Sequence, residues 1–277
     1  MTSTTRSVRI RDITLAIAEA GAGGRPLLMV HGFAGAKEDF ADWLDPLAER
    51  GWHVVAPDLR GHGASDHPPN ASDYSLDILE ADMLALVDNL DWDKFVMVGH
   101  SMGGMVGQAI AIHKPERLEG LVLMDTIAAP VRGGRLTRFI FGAATRMLGM
   151  KAMGHFVRKP PPRSPESVRR LYRERPDYGT WVESKALATS PVMARALMSE
   201  LTRRDRRSEL RSLDLPVRVI AGEYDLPGFV AASRALADAI PGATLVILEG
   251  AAHSPQFETP DAWWAAVTEF LDALDGD

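Results

Sequence analysis

The chain contains no cysteine among its 277 residues. That absence excludes disulfides, thiolate zinc sites, iron–sulfur clusters and a cysteine nucleophile. Long hydrophobic runs are also missing. No apolar stretch approaches the ~20 residues needed to span a bilayer. Met1–Leu15 mixes Thr, Ser and Arg with scattered apolar residues, so no secretory leader is expected. These absences imply a cytoplasmic protein with no membrane span. Repeats and long low-complexity tracts are absent too, which excludes solenoids and arrays. What the chain does have is 46% hydrophobic and 25% charged residues, enough to build a packed core. Its net charge of −6 is unevenly spread. Residues 131–211 hold 19 Lys+Arg against 7 Asp+Glu, and the rest of the chain is strongly acidic. Such asymmetry marks an inserted segment with a different task. A nucleic-acid role is not supported, because the basic residues lack interleaved aromatics or a recognised binding motif.

Short apolar runs bounded by Gly, Asp or Pro recur along the chain: Pro26–His31, His53–Asp58, Phe95–Gly99, Leu121–Asp125, Val217–Gly222 and Thr244–Leu248. Strands buried on both faces of a parallel sheet read this way. Helical patterns fall between them, at Asp39–Arg50, Ser75–Leu90, Ser101–His113, Phe229–Ile240 and Pro260–Leu274. Regular alternation predicts a mostly parallel sheet covered by helices on both faces. Val8–Ala18 is expected to add an antiparallel hairpin at one edge. The alternation breaks between Thr126 and Arg211, where only helical stretches appear (Leu136–Met150, Pro165–Arg173, Trp181–Ala188, Pro191–Arg203). The expected division is therefore a core of residues 1–126 and 212–277 with a helical cap at 127–211.

Gly99-His100-Ser101-Met102-Gly103 lies between a predicted strand and a predicted helix. This is the strand–turn–helix setting in which Gly-x-Ser-x-Gly forms a nucleophile elbow. The tight turn demands almost no side chain two residues either side of the serine. Ser101, at a helix N-terminus, is the candidate nucleophile. It needs a base. Of the eight histidines, His253 follows the last predicted strand, on a loop at its C-terminal end where it can reach the elbow. His53 opens a strand and His113 closes a helix, so both belong at the wrong end. The orienting acid should also follow a strand. Asp225 gives the order Ser, Asp, His along the chain, while Asp125 and the nearby Glu223 are rivals.

On these motifs the chain resembles the α/β-hydrolase superfamily, in its branch of small esterases, lactonases, carbon–carbon bond hydrolases and cofactor-free haloperoxidases. The resemblance rests on His31-Gly32-Phe33, on Pro57 to Ser65, on the Ser101 elbow, on Gly222 to Asp225 and on Ala252-His253-Ser254-Pro255. It implies an α/β-hydrolase fold with an eight-stranded type of sheet and an inserted helical cap. It also implies an oxyanion hole made by the backbone amides of Phe33 and Met102, and a loop from Asp58 to Ser65 that Asp58 and Arg60 pin beneath the site. The segment 127–211 carries no part of the resemblance. His31, Phe139, Met147 and His155 are expected to line the substrate pocket. The implied partner is a small acyl substrate, with no cofactor or metal, in a monomer or a dimer. Serine in place of the aspartate nucleophile of related dehalogenases and epoxide hydrolases favours an acyl-enzyme over an alkyl-enzyme. The expected reaction is carboxylic-ester hydrolysis, with a lactonase or carbon–carbon bond hydrolase as the alternative. A ligand receptor on the same fold is a different class, and multiple turnover separates it from an enzyme.

Arg132, Arg135 and Arg138 lie near the entry to the basic segment and read either as a solvated helix face or as an attractor for an anionic substrate. If they attract it, added salt will slow hydrolysis of an anionic ester more steeply than that of a neutral one. Equal salt dependence in steady-state assays removes the idea.

Overall fold

The computed structural model describes residues 2–130, 158–160, 162–200 and 205–274. Eight strands form one sheet: β1 (Thr4–Ile10), β2 (Ile13–Ala20), β3 (Arg25–Val30), β4 (Trp52–Pro57), β5 (Phe95–His100), β6 (Leu118–Met124), β7 (Val217–Gly222) and β8 (Thr244–Leu248). Their spatial order is β1-β2-β4-β3-β5-β6-β7-β8. β2 runs antiparallel to β1 and β4, and all other neighbours are parallel. The edge hairpin predicted at Val8–Ala18 is present and longer at both ends.

The near-continuous apolar strands are explained by burial on both sides. Leu28, Val30, Met97 and Leu121 face one core, with Met83, Leu86, Val106 and Ile110 from α2 (Leu76–Asn89) and α3 (Met102–His113). Leu27, Met29, Val96 and Val122 face the other, with Leu44, Leu47, Trp263 and Leu271 from α1 (Ala41–Glu49) and α10 (Pro260–Ala273). The period of two along each strand therefore sorts side chains between two helix layers rather than between core and water.

Between β6 and β7 the described residues hold four helices and no strand: α4 (Glu166–Glu174), α5 (Tyr178–Leu187), α6 (Pro191–Glu200) and α7 (Arg207–Leu210). The helix expected at Leu136–Met150 lies outside the described residues. After β7 come α8 (Phe229–Ala239), α9 (Pro255–Glu258) and α10. α7 and α9 have four residues each, too few for a periodic signal, and sequence patterning missed both. Strand β6 starts three residues earlier than its apolar run. A tight turn at Pro115–Arg117 feeds it directly into pairing with Phe95.

Two features place the functional end. The chain passes from β3 outward to β4, then returns across the sheet to β5 on the other side of β3. Loops leaving the C-terminal ends of β3 and β5 therefore diverge, and that divergence marks the usual ligand position in an open α/β sheet. Beneath it, Arg60 is held by two buried ion-pair hydrogen bonds to Asp82, at 2.7 and 2.9 Å, and by Asp12 at 2.8 Å. Arg60 and Asp82 side chains are 2% and 0% exposed. Arg60→Leu should cost about 3–5 kcal/mol of unfolding free energy, because Asp82 stays buried with only Arg11 left to pair it. Adding Asp82→Leu should recover most of the loss in denaturant melts.

Candidate active site

The elbow is a strained turn. Ser101 sits at φ 51°, ψ −110°, in a region that side-chain-bearing residues rarely occupy. The backbone leaves no choice at its flanks. A Cβ on Gly103 would lie 2.2 Å from the Val30 carbonyl oxygen, and one on Gly99 would lie 2.6 Å from that of Gly103. The bend is fixed from outside. The Ser101 amide donates to the Met124 carbonyl at 2.8 Å, and the Thr126 hydroxyl donates to the Ser101 carbonyl at 2.7 Å.

His253 reaches the hydroxyl. Its Nε2 lies 3.2 Å from Ser101 Oγ, and its Nδ1 lies 2.6 Å from Asp225 Oδ1. A carboxylate only accepts, so Nδ1 carries the ring proton and Nε2 is left to accept from the serine hydroxyl. Asp225 Oδ1 also accepts from the Leu226 amide at 2.6 Å. The strand-end loops bring these residues together: Tyr224 N–H donates to the Ala251 carbonyl, and a Cβ on Gly222 would meet the Ala252 carbonyl at 2.0 Å. Only glycine lets the two loops approach so closely. Of the rivals for the acid, Glu223 turns outward to accept from the Gly250 amide. Asp125 is buried at the end of β6 and accepts from the Gly222 amide at 2.8 Å, not from the histidine.

Met102 is the first residue of α3, so its amide has no carbonyl of its own helix to reach. Gly32, beside Phe33, lies against the site: a Cβ there would be 3.0 Å from Ser101 Cβ. The segment 58–65 holds this loop in three places. Leu59 N–H donates to His31 Nε2 (3.0 Å), Ala34 N–H to His62 Nε2 (3.3 Å), and Lys37 N–H to Asp58 Oδ1 (2.7 Å). Lys37 Nζ adds an ion pair to Asp58 at 2.9 Å. Burial keeps His31 and His62 below the usual imidazole pKa, so both stay neutral near neutral pH. His31, expected in the pocket, is instead buried with both ring nitrogens engaged. Nδ1 donates to the Gly32 carbonyl at 2.7 Å while Nε2 accepts from Leu59. Both nitrogens therefore prop the loop. Phe139, Met147 and His155 lie outside the described residues.

Several residues around the site escaped sequence reasoning. His100 stands beside the serine, and its Nε2 donates to the His253 carbonyl at 2.7 Å. Burial, with His253 close by, pulls its pKa down to about 3, so the ring is neutral. Glu258 accepts from the Ala252 amide at 2.5 Å and ties the histidine loop to α9. Ala186 and Ala194 of α5 and α6 pack on Phe33 and Ala34. Lys185 of α5 pairs with Asp39 and lies 3.6 Å from the Trp181 ring centroid. These contacts join residues up to 153 positions apart, and no local spacing announces them. The His100 contact implies that His100→Leu will lower kcat about tenfold by freeing the His253 loop. His100→Gln, with an amide N–H to replace Nε2–H, should recover most of that loss in ester assays.

A family model described as "alpha/beta hydrolase fold" matches residues 25–260. "3-oxoadipate enol-lactonase 2" of Acinetobacter baylyi is 32% identical over 272 residues, covering 93% of this chain and 92% of that protein. The crystal structure of a hydrolase from Pseudomonas aeruginosa PA01 is similar with TM-score 0.82 and 30% identity, covering 97% of this chain and 98% of that one. The enol-lactonase from Burkholderia xenovorans LB400 is similar with TM-score 0.84 and 26% identity, covering 96% and 100%. Among the described residues no helix is long and apolar enough to cross a membrane.

Proposed function

Because this chain belongs to the α/β-hydrolase fold family and is a hydrolase, we propose that it cleaves carboxylic esters through an acyl-enzyme on Ser101. The continuous path Asp225–His253–Ser101, at 2.6 and 3.2 Å, carries this reading. Ser101 Oγ attacks the carbonyl carbon while His253 Nε2 takes its proton. Asp225 stabilises the imidazolium and holds the ring in the tautomer that leaves Nε2 open. The oxyanion forms against the amides of Phe33 and Met102, two donors worth about 3–4 kcal/mol each when preorganised. His253 then gives its proton to the departing alkoxide, and the same nitrogen activates the water that releases the acid. Helices α5 and α6, within the cap segment, cover the acyl group through their packing on Phe33 and Ala34.

A cyclic ester fits the same machinery, with the leaving oxygen still tethered to the acyl chain. The enol-lactonase named above, similar along nearly the whole chain, favours lactones as a second substrate class.

Ser101→Ala should lower turnover of a p-nitrophenyl ester by about 10⁴-fold or more without lowering the melting temperature. A fluorophosphonate should label Ser101 alone, as peptide mass mapping would show. Turnover that survives in Ser101→Ala would remove the proposal. Relative kcat/KM over a panel of p-nitrophenyl esters, lactones and thioesters ranks the leaving groups.

A further inference from the structure

Asp125 is a buried carboxyl without an assigned task. It follows β6 directly and adopts φ 47°, a left-handed conformation that a non-glycine residue holds only when its surroundings enforce it. Its Oδ1 accepts from the Gly222 amide, and its Oδ2 is buried with no donor. Across from it, Asp225 Oδ2 is likewise buried with no donor, although Asp225 Oδ1 accepts from both His253 and Leu226. Oxygens of the two carboxyls and a ring nitrogen of His253 all lie within 4.8 Å of one another. Two carboxylates at this range in a buried site do not both ionise. The acid with two donors on one oxygen, Asp225, is the better-supported anion. The other keeps the proton, and one proton satisfies both orphaned oxygens.

We propose that Asp125 is a neutral acid whose Oδ2–H donates to Asp225 Oδ2, making it a positioning residue for the acid of the triad. The inference rests on the Asp225–His253–Ser101 reading above. Burial and the nearby Asp225 both push the Asp125 carboxyl well above the usual carboxylate range, in the same sense as the geometry. The charged and titratable groups around it are Asp225 on the loop after β7, His253 after β8 and Glu258 on α9. His100 at the end of β5 is held neutral. The consequence for chemistry is twofold. The donor fixes the Asp225 carboxyl plane against the imidazole. It also shares the negative charge of that carboxylate through the hydrogen bond.

The test compares Asp125→Ala, Asp125→Asn, Asp225→Asn and Ser101→Ala in p-nitrophenyl ester assays across pH, beside thermal melts. Asp125→Ala removes the donor, so the pair protonates more readily. Its acid limb in kcat/KM should move up by about half a pH unit or more, with kcat down about tenfold. Asp125→Asn keeps an N–H for Asp225 and a carbonyl for Gly222. It should recover most of the lost kcat and return the acid limb to the wild-type position. If Asp125 is ionised instead, Asp125→Asn removes a negative charge and the limb moves down, which overturns the proposal. It is equally overturned if Asp125→Asn abolishes turnover while Asp225→Asn does not, for Asp125 would then be the triad acid. Activity that persists in Ser101→Ala overturns the triad reading itself and this inference with it. Should the Asp125 variants not fold, carboxyl-carbon NMR of the wild-type protein decides directly. One aspartate carboxyl that stays protonated at neutral pH supports the proposal, and a spectrum with no protonated aspartate at neutral pH overturns it.

Discussion

A serine hydroxyl stands 3.2 Å from an imidazole contributed 152 residues later because the backbone at Ser101 is forced through φ 51°. Left alone, a serine would relax from that conformation at a gain of order 1–3 kcal/mol. It does not relax, because the turn is clamped on three sides. Val30 closes on Gly103, the Met124 carbonyl holds the Ser101 amide, and Thr126 holds its carbonyl. β3, β5 and β6 are thus all committed to one bend. The fully buried, two-sided strands beneath supply the rigidity that keeps it bent.

Around that bend the protein uses neutral buried groups as braces. His31, His62 and His100 each lose their charge to burial and each hold a backbone group: Leu59, Ala34 and the His253 carbonyl in turn. An imidazole suits this work, since its neutral form is at once a donor and an acceptor. Apart from Asp225, the ionised groups nearby pair with opposite charges. Arg60 meets Asp82 and Asp12, Lys37 meets Asp58, and Lys185 meets Asp39. The candidate site is thus braced largely by fixed dipoles.

The segment between β6 and β7 has a separate character. Its described helices meet the loop that holds Phe33 and Ala34 through small residues, Ala186 and Ala194, and enter the main core through Met193, Leu197 and Leu210. It is also tied by the Ser190 amide to the Gly61 carbonyl and by Glu200 to the Leu76 amide. Helices that rest on the 32–34 loop can alter what reaches the serine without altering the chemistry beneath. Fold-level kinship therefore fixes the reaction type better than the substrate.

Strand and helix order, the elbow serine, and a histidine and an acid at later strand ends were all legible in the chain. Those features rest on local periodicity and on short-range sterics, such as the need for glycine at 99 and 103. Sequence alone favoured Asp225 and kept Asp125 and Glu223 as rivals, because all three follow a strand. Only the packed loops set Asp225 against Nδ1, turned Glu223 toward Gly250 and buried Asp125 behind both. The same is true of His31, expected at the pocket. Tertiary structure supplied partners for both its nitrogens and made it a prop. Local sequence determines which groups are available at the end of each strand. Which of them meet, and which carry a proton, depends on contacts across more than a hundred residues that only the folded sheet brings together.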